Sequence, residues 1–324
     1  MRIASYHTNL PKDADFPFWI TDVAIDLVEC ISNEMDAEFI QVINFETITS
    51  KWGKHNAYKI INADISFVQM SSYFPNGRPN KFLVAVMGDY TYYKEKVHAW
   101  IERYRPELIL CTDEIPLTLK EVCNNYGSKA EWMPYFLGHQ WQQWGYKCHG
   151  WTDKLRQTHA FISGCIGKNI YHIRKEFYDK MRTICLFDND LKYIPDNKSG
   201  SKIKISCNET FGKYPMSFTE YKKILCDTRY YVTGGIMDRI VPSKVFEASL
   251  LGACVVCNPI DMLEQWGFRN GKTIITAGDP EELLEIFKSD KWKEIGPKAR
   301  ELILNRHTVQ QRAKEIANII RKMI

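Results

Sequence analysis

The chain has 324 residues, 45% of them hydrophobic and 25% charged, the balance of an ordinary soluble globular protein at a length that suits about two domains. No apolar run reaches the ~18 residues that a membrane-spanning helix needs, and ten scattered cysteines read as reduced, buried thiols rather than a disulfide framework. The net charge of +4 is uneven: 14 Lys+Arg stand against 18 Asp+Glu in residues 1–150, and 29 against 21 in the remainder, so the basic second half suits a phosphate-bearing ligand, a polyanionic partner or plain solubility.

In chain order, the N-terminal Met-Arg-Ile-Ala-Ser-Tyr reads as a short strand with no signal-peptide apolar core, and a cytoplasmic location is expected. Strands follow at Arg2–Tyr6, Glu38–Asn44, Asp64–Met70, Phe82–Met87, Leu108–Cys111 and Glu131–Tyr135, with helices near 18–33, 91–104 and 115–126. Short continuous apolar strands separated by helices indicate a buried parallel sheet. Residues 137–157, rich in Gln, Trp and Gly without clean periodicity, read as an interdomain connection. The theme then repeats. Strands are expected at His159–Ser163, Thr183–Leu186, Lys202–Ser206, Tyr230–Val232, Ala253–Cys257 and Thr273–Thr276. Helices are expected near 170–181, 217–227, 243–251, 260–267, 280–289, 294–305 and 309–323, the last with Val309, Ala313, Ile316 and Ile320 at helical spacing. Residues 190–201 read as a polar surface loop. This pattern predicts an α/β protein of two doubly wound, Rossmann-like domains facing a cleft, with ligands at the carboxyl ends of strands.

Val241–Asn258 is the most informative stretch. It reads as a helix opening at Pro242 or Ser243, stopping at Gly252 and running directly into a strand. The N–H groups and positive dipole end of such a helix attract phosphate. Lys244 adds a mobile positive charge, and Glu247, one turn on, can accept two hydroxyls of a ribose. Together they fit a nucleotide diphosphate; an ordinary αβ unit with a surface Lys–Glu pair is the competing reading.

Ser243-x-x-x-Glu247-Ala248-x-x-x-Gly252, preceded by Arg239 and followed by a hydrophobic strand, resembles the donor-binding segment of two-Rossmann-domain (GT-B) glycosyltransferases. Three more pieces are similar to the CgeB-like, group 1 branch: His159–Gly164 leading to Tyr171-x-x-Arg174, the helix Ser217–Leu225 before the strand at Tyr230, and Asn305–Ala313 at the start of the final helix. The resemblance covers about 158–320 in order. It covers 1–157 loosely, through strand order, Asp89 after a strand and Trp132-Met133-Pro134 before the connection. It departs from the Glu-x7-Glu pattern of related retaining enzymes, because Arg239 stands where the first Glu would be.

The resemblance implies an acceptor-side domain with its linker over 1–157, a nucleotide-sugar domain over 158–308, and a C-terminal helix, 309–324, packing back toward the first. It implies a glycosyltransferase that uses a UDP- or GDP-sugar as co-substrate, with no other cofactor and no metal. Lys244, Arg239 and the helix end would neutralise the departing diphosphate. Glu247, Ser243, Gly234, Gly235, Gly164 and Arg174 would bind the donor, the paired glycines by letting backbone N–H groups come close. A plain turn at Gly234-Gly235 is the competing reading. His7 and Asp89, at strand ends of the first domain, are the candidate bases or sugar contacts. A surface or core-bonded His7 and an Asp89 that caps a helix are the alternatives. The acceptor stays open among a glycan, a metabolite, a protein and modified bases in DNA.

Other motifs carry less. Gly164-Cys-Ile-Gly-Lys-Asn169 lacks phosphate-loop spacing and its metal-binding hydroxyl. Cys254 and Cys257 would point to opposite faces of one strand, which argues against zinc. Asp188 and Asp190 resemble a metal-binding Asp-x-Asp but sit before a polar loop. Lys51–Lys59 mixes basic and aromatic residues that could touch nucleic acid, or form a solvated helix face. A sugar-nucleotide epimerase and a nucleic-acid-binding protein are the competing function classes.

Overall fold

The computed structural model describes residues 1–7, 25–43, 46–50, 53–57, 60–69, 72–74, 77–79, 81–87, 90–112, 115–133, 135–147, 156–167, 171–187, 203–208, 216–235 and 241–324. The chain divides into two compact units: residues 1–139 with 308–324, and residues 140–307. The division at 139/140 lies within the 137–157 stretch read as the interdomain connection, in a helix that begins at His139.

In the first unit, β1 (Arg2–His7), β2 (Glu38–Ile43), β5 (Ile65–Gln69), β7 (Phe82–Met87), β8 (Leu108–Cys111) and β9 (Lys129–Trp132) form a parallel sheet in the order β2-β1-β5-β7-β8-β9. Side-chain alternation sorts its residues into two cores. Ile3, Ile65, Phe67, Val84, Leu108 and Leu110 face one cluster. Ala4, Tyr6, Val68, Leu83, Ala85 and Ile109 face the other. The first cluster is closed by α1 (Leu27–Glu34) and by the last helix, Val309–Arg321, whose Val309, Ala313, Ile316 and Ile320 are at most 2% exposed. That helix opens on a capping box between Thr308 and Gln311. The second cluster is covered by α2 (Tyr90–Tyr104) and α3 (Leu117–Asn125).

A separate small sheet joins β3 (Glu46–Ser50), antiparallel to β4 (Gly53–Ala57), with β6 (Ser72–Tyr73). The basic-aromatic stretch is therefore in part a strand, β4, and not a helix face.

The second unit begins in α4 (His139–Lys147), which replaces much of the expected irregular connection. Its sheet is parallel, in the order β11-β10-β12-β13-β14: Ile203–Asn208, Thr158–Cys165, Thr228–Val232, Cys254–Cys257 and Ile275–Thr276. The expected strand at Thr183–Leu186 is instead the end of α5 (His172–Phe187). The β-branched Thr183 and Ile184 suggest a strand, but Phe177, Met181, Ile184 and Cys185 recur at helical spacing and all enter the core. On that face the core takes Ala160, Ile162, Tyr230, Val232, Cys254 and Val256 from the sheet. Phe161 and Tyr231 point to the other face and meet α6 (Phe218–Asp227), whose first turn is capped by Ser217 accepting from the Glu220 N–H. Then come α7 (Ser243–Leu250), α8 (Met262–Gln265), α9 (Leu283–Lys288) and α10 (Trp292–Arg306).

The helix stop at Gly252 is as the sequence indicates. Its φ is +79°, its N–H donates to the Ser249 carbonyl, and the Ala253 N–H reaches back to Ala248.

Eight cysteines are free thiols among the described residues, but Cys226 is disulfide-bonded, which corrects the expectation of uniformly reduced thiols. A pairing of this kind depends on distance in space, which scattered spacing does not reveal. Burial pushes the Cys257 thiol up to about 12, and both it and Cys254 are free. No helix among the described residues is long and apolar enough to cross a membrane.

Candidate active site in the second unit

A strand order in which the second strand lies on one side of the first, and the third on the other, opens a crevice at the carboxyl ends of strands one and three. In the second unit these are β10 and β12. The chain leaves β10 through Gly164 and Cys165, and leaves β12 through Thr233, Gly234 and Gly235, all described and close to this switch point.

Gly164 is the last residue but one of β10. Its φ of +116° is a conformation that glycine adopts freely, and a Cβ there would stand 3.0 Å from Arg174 Nη1 and 3.2 Å from Lys244 Cε. Two cations from different helices, α5 and α7, are thus brought against one glycine. Arg174 is 3% exposed; its Nη1 donates to the Cys165 carbonyl at 3.0 Å, its guanidinium lies 4.7 Å from the Tyr171 ring centroid, and its Nε has no partner. Neither Arg174 nor Lys244 forms an ion pair among the described residues. Burial, reinforced by the nearby Arg174 charge, lowers the Lys244 pKa from its ordinary value, with Glu247 opposing. Holding the buried Arg174 and the half-buried Lys244 close together, with only the Glu247 charge nearby, is costly, and an anionic ligand would relieve that cost.

Glu247 is 8% exposed and accepts a hydrogen bond at Oε2 from the Tyr221 hydroxyl at 2.9 Å. The Tyr231 hydroxyl and Ser163 Oγ are 2.9 Å apart. Burial, with the Glu247 charge beside it, raises the Tyr221 pKa well above the ordinary value, so the phenol stays a donor. Burial also pushes the Cys207 thiol up to about 12, against the pull of Arg174 and Lys244.

Ser243 is the first residue of α7, preceded by Pro242 at φ −68° and ψ 147°, and among the described residues no side chain caps the helix. The expected capping bond from Ser243 is absent, because the cap position falls on proline. The first-turn N–H groups are therefore not occupied by a side-chain cap.

Gly234 is a packing glycine, since a Cβ would stand 2.6 Å from the backbone nitrogen of Arg174. Gly235 already donates its N–H to Asn258 Oδ1 at 2.7 Å, so that group holds the turn. His7 is the last residue of β1, at its carboxyl end. Asp89, Arg239, Asp188 and Asp190 lie outside the described residues. No cluster of three or more metal-binding side chains occurs among the described residues. Tyr221 was not singled out in the sequence; an aromatic on the apolar face of an amphipathic helix reads simply as core.

Residues 192–318 match the model of a family described as glycosyl transferase-like. No protein with a curated description matches the chain in sequence. Among solved structures, an alpha-glucosyltransferase in complex with UDP-glucose and DNA containing an abasic site is similar with a TM-score of 0.62 and 11% identity, covering 99% of each chain. Anabaena Alr3699/HepE in complex with UDP gives 0.53 at 9% identity, covering 99% of this chain and 100% of that one. A putative UDP-N-acetylglucosamine 2-epimerase from Listeria monocytogenes gives 0.52 at 9% identity, covering 99% and 96%. The chain spans just over half the length of some larger proteins it resembles, 58% of a chain of the GtfA/B complex and 54% of TarM.

Two parallel sheets of doubly wound order make the fold α/β with two Rossmann-like units, similar in fold to the alpha-glucosyltransferase named above. Tyr221, Lys244 and Glu247 all lie within residues 192–318, the segment that the glycosyl transferase-like family model matches.

Proposed function

We propose that the second unit binds a nucleotide-diphosphate sugar, UDP- or GDP-linked, and that the protein transfers the sugar without a metal. The observation that supports this most is the meeting of Arg174 and Lys244 on Gly164, without ion-pair partners among the described residues, beside the buried Glu247. The two cations and the uncapped start of α7 would receive the diphosphate, and Glu247 would accept hydroxyls of the ribose. As the sugar–phosphate bond breaks, negative charge grows on the leaving diphosphate. Fixed cations aimed at that charge lower the barrier without reorganising. Arg239 belongs to the same reading as a further diphosphate contact. His7 and Asp89 are proposed as acceptor-side groups, and the enzyme as cytoplasmic.

The UDP and UDP-glucose bound by two structural relatives support a uridine donor. Since one of these was solved with DNA, DNA carrying modified bases is the first acceptor to try, followed by glycans, metabolites and proteins. The test is a thermal-shift panel of nucleotide sugars followed by product analysis. Stabilisation by UDP or GDP sugars, with release of the nucleotide, supports transfer. Free isomerised sugar nucleotide formed without an acceptor would make it an epimerase, and stabilisation by oligonucleotides alone would make it a binding protein.

A further inference from the structure

Tyr221 touches both groups that the donor reading depends on. Its hydroxyl donates to Glu247 Oε2 at 2.9 Å, and its ring centroid lies 4.7 Å from Lys244 Nζ. The ring cannot swing away. Trp141 meets it edge-on at 6.4 Å, while Phe161 and Phe218 each pack at 6.0 Å. It is 7% exposed, on a helix whose first turn is capped by Ser217.

We propose that Tyr221 is the positioning residue of the donor site, setting the hydroxyl-accepting carboxylate and the phosphate-binding ammonium at a fixed spacing with one rigid side chain. This rests on the donor reading above.

The chemistry divides cleanly between the two ends of the side chain. A carboxylate has two oxygens with about four acceptor positions. With Oε2 held by the phenol, rotation of the carboxylate is arrested and Oε1 keeps a constant direction toward an incoming hydroxyl. The aromatic face attracts the ammonium through its quadrupole, yet offers no lone pair or negative charge that would neutralise it. A carboxylate in that position would hold Lys244 more strongly but compete with the ligand for it. An aromatic ring orients the cation and leaves its three donors for phosphate.

The two ends can be separated by substitution. Tyr221→Phe keeps the ring under Lys244 and removes the bond to Glu247. Tyr221→Leu removes both. Calorimetric titrations of the full chain with UDP, 2′,3′-dideoxy-UDP and inorganic pyrophosphate read each end. The wild type should prefer UDP over the dideoxy compound. In Tyr221→Phe, UDP affinity should fall about tenfold, to the level of the dideoxy compound, with pyrophosphate unchanged. In Tyr221→Leu, pyrophosphate should weaken as well. A further Glu247→Gln change in the Tyr221→Phe background should cost little more, because the two residues act as one unit.

A Tyr221→Phe protein that retains the ribose preference, or loses affinity for all three ligands alike, would overturn the proposal. The Phe variant, which preserves the core packing, decides the matter even if Tyr221→Leu does not fold. A wild type that binds neither UDP, GDP nor pyrophosphate would overturn the donor reading itself. A wild type that binds UDP, with Tyr221→Phe indistinguishable from it, would overturn the Tyr221 proposal alone.

Discussion

Replacing Gly164 by alanine tests the anion site without removing a charge. The glycine sits at φ +116°, and an added Cβ would stand 3.0 Å from Arg174 Nη1 and 3.2 Å from Lys244 Cε. The backbone conformation alone should cost roughly 1–3 kcal/mol, the range for a residue held in a sparsely populated region. The two side chains can yield, being the ends of flexible chains, but both must move by a few tenths of an ångström away from the point where they converge. A hydrogen bond to a charged partner contributes about 1.5–3 kcal/mol, so part-losing two of them should weaken UDP binding on the order of tenfold to a hundredfold. Urea denaturation measures the first effect and calorimetry on the folded protein the second. A variant that loses stability but binds UDP as the wild type does would refute Gly164 as part of a phosphate site. It would leave the glycine as a backbone requirement of β10 alone.

Three further outcomes are expected. Glu247→Ala should weaken nucleotide binding by about 1–3 kcal/mol while leaving pyrophosphate binding intact; equal affinity for UDP before and after, with the fold preserved, would remove Glu247 from the site. Lys244 gives a pH signature. Its folded pKa is lowered from 10.5, so the unfolded chain binds that proton more tightly, and the stability of the ligand-free protein should rise with pH between the lowered value and 10.5. A bound diphosphate favours the charged ammonium, so diphosphate affinity should fall as pH climbs through the lowered value; a pH series should show that fall, and Lys244→Arg should postpone it. Excess EDTA should leave initial transfer rates largely unchanged. Abolition of activity that Mn²⁺ restores would instead point to Asp188 and Asp190.

What the sequence discloses, and what it withholds, follows from the range of the interactions involved. The start and stop of α7 are local: Pro242, Lys244 and Gly252 act within a turn or two, and the left-handed Gly252 is where the pattern puts it. The amphipathic stripe of the last helix is equally local, and its four apolar residues are buried. Strand order is not local. Nothing in the string of residues says that β10 lies between β11 and β12, yet the end of β10, with Gly164, stands beside Arg174 and Lys244. The family resemblance supplied those residues as a set, whereas periodicity alone left Arg174 as one cation on a helix. Local preference also misled where packing outweighed it. Thr183–Leu186 looks like a strand until the spacing from Phe177 is followed, and α4 hides behind glutamines although Trp141 is 2% exposed. Tyr221 marks the limit most clearly. Its helix is legible, and so is its place on the buried face. That its hydroxyl ends at Glu247 and its ring beneath Lys244 depends on how α6 and α7 pack against one sheet, and no spacing within either helix encodes that meeting.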